Sequence, residues 1–191
     1  MRPNPVMFNS PEVSAGYTLL ELMVTVTIAG ILMGVAVPSF TSVIDSNRLT
    51  TYANDLVTAL NFARSEAIKR GQQVTVRRKS LTSAQWENGW NVFVDSDKSN
   101  TFNDNGDAIL CQVGEDCLLR TYDKFSDGYT FRTDGATGYK DYIAFLPNGY
   151  NKLMSNGIFR LCQGDGKTTS RAVLISPVGR LSVSKGTSSC P

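Results

Sequence analysis

Residues Tyr17–Val37 form a largely apolar stretch whose single charge is Glu21. About 20 such residues are long enough to cross the hydrocarbon core of a bilayer as one helix. Residues 1–16 contain Pro3, Pro5 and Pro11 and no apolar run, so no helix is expected before the stretch. An ordinary secretory signal is cleaved after its apolar region. Here the small residues Ala15 and Gly16 precede it. Processing at Gly16 would therefore leave the apolar helix on the mature chain, which limits the architecture to a membrane-crossing N-terminal helix followed by a domain.

Glu21 is the anomaly in that helix. A carboxylate in an apolar span costs about 2.5–3.5 kcal/mol at the helix centre, less near an end, and is functional by default. It sits four residues after Tyr17, one helical turn away. After cleavage at Gly16 the new amino group belongs to Tyr17. The carboxylate can then pair with its own ammonium or with a neighbouring subunit's, and the second pairing sets a packing register. The alternative is a plain signal anchor with an incidental interfacial Glu.

Past Pro38 the pattern becomes amphipathic. Phe40, Val43, Ile44, Tyr52, Leu56, Leu60, Ala63 and Ala67 recur at mostly helical spacing, with Ala53 and Val57 beside them. Lys69 and Arg70 suit a last turn and Gly71 a C-terminal cap. One helix is expected from about Thr18 to Arg70, bent or loosened near Gly30, Gly34 and Pro38. Its second half is expected to pack on a sheet. Strands are expected at 73–79, 89–94, 108–111, 128–132, 142–146, 157–162, 172–176 and 181–184, with turns at Asn148-Gly149 and at 177–180. Short connections favour antiparallel pairing. The fold class is therefore α+β, a long helix on an antiparallel sheet. The expected segments are a leader at 1–16, an apolar helix at 17–38, an amphipathic continuation at 39–71 and a β domain at 72–191.

The chain contains no histidine, which removes the commonest general base and zinc ligand. It has no G-x-S-x-G, P-loop or G-x-G-x-x-G motif. An enzyme is not expected, and no cofactor is implied. The four cysteines, 111, 117, 162 and 190, suggest disulfides in an exported domain. Three connectivities are possible; the local one, Cys111–Cys117 and Cys162–Cys190, is preferred over the others and over four buried thiols. Without a C-x-x-C pair, structural zinc is not expected.

Two surface candidates remain. Asp95, Asp97 and Ser99, followed by Asn103-Asp-Asn-Gly-Asp107, offer oxygen ligands for calcium. This is a weak candidate: the EF-hand frame fails at Asn100 and Gly106, and a solvated loop has the same composition. From Tyr150 onward there are six Lys/Arg against Asp165 alone, so the C-terminal region is basic although the net charge is only +2. Arg171, Arg180 and Lys185 lie among Gly and Ser there, suiting phosphate contacts that are salt-sensitive and blind to sequence.

The segment Gly16-Tyr-Thr-Leu-Leu-Glu-Leu resembles the type IV prepilin signal, with Tyr17 where Phe is usual. The resemblance implies that a prepilin peptidase cleaves after Gly16 and methylates the amine of Tyr17. It also implies that Glu21 serves assembly and that Pro38 breaks the helix at the end of the membrane-spanning stretch. The run Trp86–Asp95 with Asp107-Ala-Ile-Leu110, and Phe159–Cys162 with Arg171–Ser176 and Gly179-Arg180, resembles minor pilins and pseudopilins of the GspH/FimT group. That likeness implies the pilin fold, other pilins as partners, and a single-pass inner-membrane protein whose C-terminal domain is periplasmic before it enters a pilus. Within the group, FimU-like proteins prime type IV pili, FimT-like proteins can bind DNA for uptake, and GspH proteins serve type II secretion pseudopili. The DNA-binding tail pattern is Gly-Arg-x-Arg. Here Gly179 and Arg180 match it, Ser182 replaces the second Arg, and Lys185 is nearby.

Overall fold

The computed structural model describes residues 16–103, 111, 112, 114–133, 138–164, 171–186 and 190, without the side chains of 37–39. One helix, α1, spans Leu19–Arg70. It starts where Thr18 caps it: the Thr18 hydroxyl accepts the Glu21 N–H at 3.2 Å, and the Thr18 carbonyl accepts that of Leu22 at 3.2 Å. It ends at Gly71, whose φ of 65° is the left-handed cap conformation and whose N–H bonds to Ala67 O at 3.0 Å. The helix continues through Pro38. Proline removes one N–H, and helical turns on both sides sustain that loss.

The chain divides into two compact units, one up to Val43 and one from Ile44 onward. In the first, the apolar residues from Leu19 to Val35 are all exposed. In the second, α1 buries Leu49, Ala53, Leu56, Leu60, Ala63 and Ala67 completely, at steps of three and four residues. Ile44, at 50% exposure, stays outside this core, so the buried stripe begins later than its periodicity suggests.

Among the described residues eight strands follow: β1 Val74–Arg78, β2 Trp90–Val94, β3 Cys117–Tyr122, β4 Tyr129–Thr133, β5 Tyr142–Phe145, β6 Gly157–Gln163, β7 Arg171–Ile175 and β8 Leu181–Lys185. They form two antiparallel sheets, β3-β2-β1-β5 and β4-β6-β7-β8, rather than one. Trp86 and Trp90, both fully buried, join them. Trp86 meets Phe159 of β6 edge-on at 5.2 Å, and its backbone N–H donates to Phe131 O at 3.0 Å. Trp90 of β2 lies 6.2 Å from Phe131 of β4.

The expected strand at 108–111 lies outside the described residues except for Cys111, which is not in a strand and has φ of 67°. The strand actually beside β2 is β3, unforeseen in the sequence. A bulge explains the omission: Val92 faces Arg120 and Phe93 faces Leu118, so Leu119 is extra and the two-residue alternation fails.

Candidate functional site

The apolar helix is built to hide its own polar groups. Thr25 Oγ1 donates to Leu22 O at 2.9 Å and Thr27 Oγ1 to Met23 O at 2.7 Å, so both hydroxyls are satisfied within the helix. Glu21 occupies the third helical position, where the helix dipole favours a carboxylate. Thr18 and Glu21 have the spacing of a capping box, a Thr-x-x-Glu signal that sequence reading could have used to fix the helix start. Gly16 and Tyr17 precede the cap, and Tyr17 is 86% exposed.

Of the calcium candidates, Asp95 and Asp97 lie together, and their third companion is Asp116, not Ser99. One carboxylate oxygen from each of the three aspartates lies within 4.8 Å of the others. Ser99 Oγ is engaged in its own loop: it donates to Thr101 O at 3.0 Å and accepts from Thr101 N at 3.1 Å. Asp116 was missed because no local spacing connects it to Asp95; it is brought there by β3 pairing with β2. Residues 104–107 lie outside the described residues.

Hydrogen bonds from the backbone and then the side chain of Ser99 hold the Asp97 carboxyl below its ordinary pKa, with Asn103 adding to them. Burial pushes Asp116 up, and the charges of Asp95 and Asp97 act in the same direction, against backbone N–H donors from Asn103 and Ser96.

The basic candidates are not one cluster. β7 and β8 form a hairpin in which Arg171 faces Lys185 and Ile175 faces Leu181. Arg180 lies in the turn, at the other end of a strand about 14 Å long. Arg180 and Lys185 are exposed. Arg171 is half-buried and donates to Ser46 Oγ on α1 at 3.1 Å. Gly179 has a structural reason to be glycine: its φ is 76°, and an added Cβ would lie 3.0 Å from Gly149 O. Residues Leu181–Lys185 are therefore a strand paired with β7 rather than a free loop.

The cysteines pair locally. Cys111 bonds to Cys117 with Cα atoms 4.3 Å apart, and Cys162 to Cys190 with Cα atoms 6.1 Å apart.

Two family profiles match the chain. The one described as prokaryotic N-terminal methylation motif covers residues 13–37. The one described as type II transport protein GspH covers residues 52–179, more than half the chain. The chain belongs to the GspH family. As a GspH-family protein it is a minor pilin or pseudopilin of the type IV pilus or type II secretion kind, and such proteins are structural, not enzymatic.

The GspH-family fold is shared with the type IV minor pilin FimU of Pseudomonas aeruginosa PAO1. One crystal form gives a TM-score of 0.55 at 23% identity, covering 76% of this chain and 95% of that one. A second gives 0.53 at 23%, covering 74% and 97%. The minor pseudopilin EpsH of the Vibrio cholerae type 2 secretion system superposes at 0.46 and 14% identity, covering 74% and 99%. No curated protein sequence matches this GspH-family chain.

Proposed function

We propose that this chain is a minor pilin of a type IV pilus, held in the inner membrane by residues 17–38 with its C-terminal domain in the periplasm. Prepilin peptidase removes residues 1–16 and methylates Tyr17. The subunit then enters the filament in a priming or tip role. The observation that carries this reading is an apolar helix exposed from Leu19 to Val35 and a lone carboxylate one turn from the new N-terminus. In the most apolar part of α1 the mean hydropathy is 2.2, and none of that segment is buried. Leu19, Leu20, Met23, Ile31 and Val35 are all more than 60% exposed. A surface of this kind needs lipid first and other helices later. Glu21 can exchange water at the membrane edge for the ammonium of a neighbouring subunit, which makes packing specific.

The test is Glu21→Ala expressed at wild-type level. The variant stays in the membrane fraction, since Ala is easier to bury, but is depleted from sheared filaments. Wild-type recovery in filaments overturns the assembly role. The fold shared with a type IV minor pilin supports the pilus; the family profile keeps a type II secretion pseudopilus as the alternative. Deletion separates them: loss of surface pili supports the first, and loss of protein secretion with pili intact supports the second.

Capture of DNA during uptake is a second reading. It is favoured by Arg171 and Lys185 facing each other across β7 and β8, a like-charge pair that an anion would relieve. The exposed Arg180 adds a third cation at the far end of the hairpin.

A further inference from the structure

Asp95 follows β2 directly and is only 1% exposed. Its Oδ2 is fully engaged, accepting from Gln73 Nε2 at 2.7 Å, Thr75 Oγ1 at 2.7 Å and Asn100 N at 3.0 Å. Its Oδ1 is also buried and, among the described residues, accepts no hydrogen bond. A buried carboxylate oxygen without a donor is costly, because it has lost water and gained nothing in exchange. Three donors on Oδ2 fix the carboxylate's orientation, so the free oxygen is held in place rather than left to rotate.

Two further carboxylates lie beside Asp95: one oxygen from each of Asp95, Asp97 and Asp116 is within 4.8 Å of the others. Asp97 hydrogen-bonds to Ser99 N at 2.9 Å, and Asp116 to Ser96 N at 2.9 Å and Asn103 N at 2.8 Å. Asp116 is buried and Asp97 exposed, so the group opens to solvent on the Asp97 side. Among the described residues no ion pair neutralises any of the three. The nearby Lys152 is directed elsewhere, to Asn100 Oδ1 at 2.9 Å and Lys98 O at 3.3 Å. Three like charges within one ligand radius repel each other, and a divalent cation reverses the sign of that interaction.

We propose that Asp95, Asp97 and Asp116 bind a calcium ion that ties the segment after β2 to the start of β3. Calcium takes six to eight oxygens in flexible geometry, and waters entering beside Asp97 complete the shell. Magnesium requires a stricter octahedron and gives up its water reluctantly, which disfavours it among carboxylates already fixed by other hydrogen bonds. The ion acts beside a covalent tie, since Asp116 adjoins Cys117 of the Cys111 disulfide.

The experiment is equilibrium dialysis of the detergent-solubilised full chain against radiolabelled CaCl2, with thermal unfolding in parallel. One ion binds per chain with an affinity of about 0.1–1 mM, the range of extracellular modules. Asp97→Asn alters an exposed side chain and weakens binding at least about tenfold, abolishing the calcium-dependent rise in unfolding temperature. Asp116→Asn, which keeps one oxygen for a backbone N–H, gives the same loss. MgCl2 binds at least about tenfold more weakly. No saturable binding up to about 10 mM CaCl2, unchanged affinity in Asp97→Asn, or equal affinity for MgCl2 overturns the proposal.

Discussion

Arg64 donates through Nε to the carbonyl oxygen of Gly149 at 2.9 Å, and the same guanidinium reaches Gly179 O through Nη1 at 3.4 Å. Gly149 follows β5, in the first sheet, and Gly179 lies between β7 and β8, in the second. One side chain of α1 therefore anchors a turn from each sheet. Both glycines have positive φ, 77° and 76°, which presents their carbonyls to the guanidinium.

Loss of that anchor should lower stability. Arg64→Ala removes two charge-assisted hydrogen bonds from a half-buried position and is expected to cost about 2–3 kcal/mol. Arg64→Lys recovers only part of this, since an ammonium lacks the planar fork. Gly179→Ala also destabilises, through φ and the close carbonyl, without changing charge. Thermal or urea unfolding followed by circular dichroism checks all three.

Processing after Gly16 should leave a chain of residues 17–191 that begins with N-methyltyrosine. Intact-mass analysis of membrane-extracted protein measures it. A mature mass that lacks the apolar stretch would mean ordinary signal cleavage instead.

The two disulfides should differ in their contribution. Cys162–Cys190 closes a separation of 28 residues, and Cys111–Cys117 one of 6. Loop-closure entropy then assigns about 3–4 kcal/mol to the first and about 2 kcal/mol to the second. Paired Cys→Ser variants, compared by unfolding and by non-reducing peptide mapping, check the order.

Acid should weaken the contact between β1 and the segment before β5. Arg78 bonds to Asp141 Oδ1 through Nε at 2.8 Å and through Nη2 at 2.6 Å, and Ser83 donates to the same oxygen at 2.8 Å. Burial pushes the Asp141 carboxyl up, but Ser83, Arg78 and the charge of Arg77 outweigh it and the pKa is lowered from 3.8. A lowered native pKa means stability that is present above the unfolded value and lost as pH falls through the native one. The gap between wild type and Asp141→Asn in unfolding experiments should therefore be widest above pH 3.8 and close below it.

DNA binding, if the hairpin performs it, should be weak and strongly dependent on salt. Two or three phosphate contacts give micromolar or poorer affinity. Duplex DNA titrated with the detergent-solubilised chain at two salt concentrations tests it. Arg180→Gln with Lys185→Gln should abolish binding. A wild-type chain that shifts no DNA in low salt at high micromolar protein leaves the hairpin as an ordinary edge of the sheet.

Sequence was most informative where the physics is local. The apolar run and the cap at Gly71 bound the helix, and most strands alternate visibly between turn residues. The local cysteine pairing, preferred among three, is the one the structure has. It was least informative where partners come from distant segments. β3 was lost because a bulge breaks its alternation. Asp116 was overlooked because only strand pairing brings it to Asp95.

By itself, then, the sequence determined the helix and its lone carboxylate and the α+β class, which depend on neighbours along the chain; among the possible cysteine pairings it only favoured the local one, which the structure has. The tertiary structure alone decided that the strands divide into two sheets around Trp86 and Trp90. It also decided that Arg180 stands apart from Arg171 and Lys185, that Gly179 serves a turn, and that three aspartates share one place. These depend on register and packing between segments as much as 125 residues apart, as Ser46 and Arg171 are, and spacing along the chain carries no signal for such contacts.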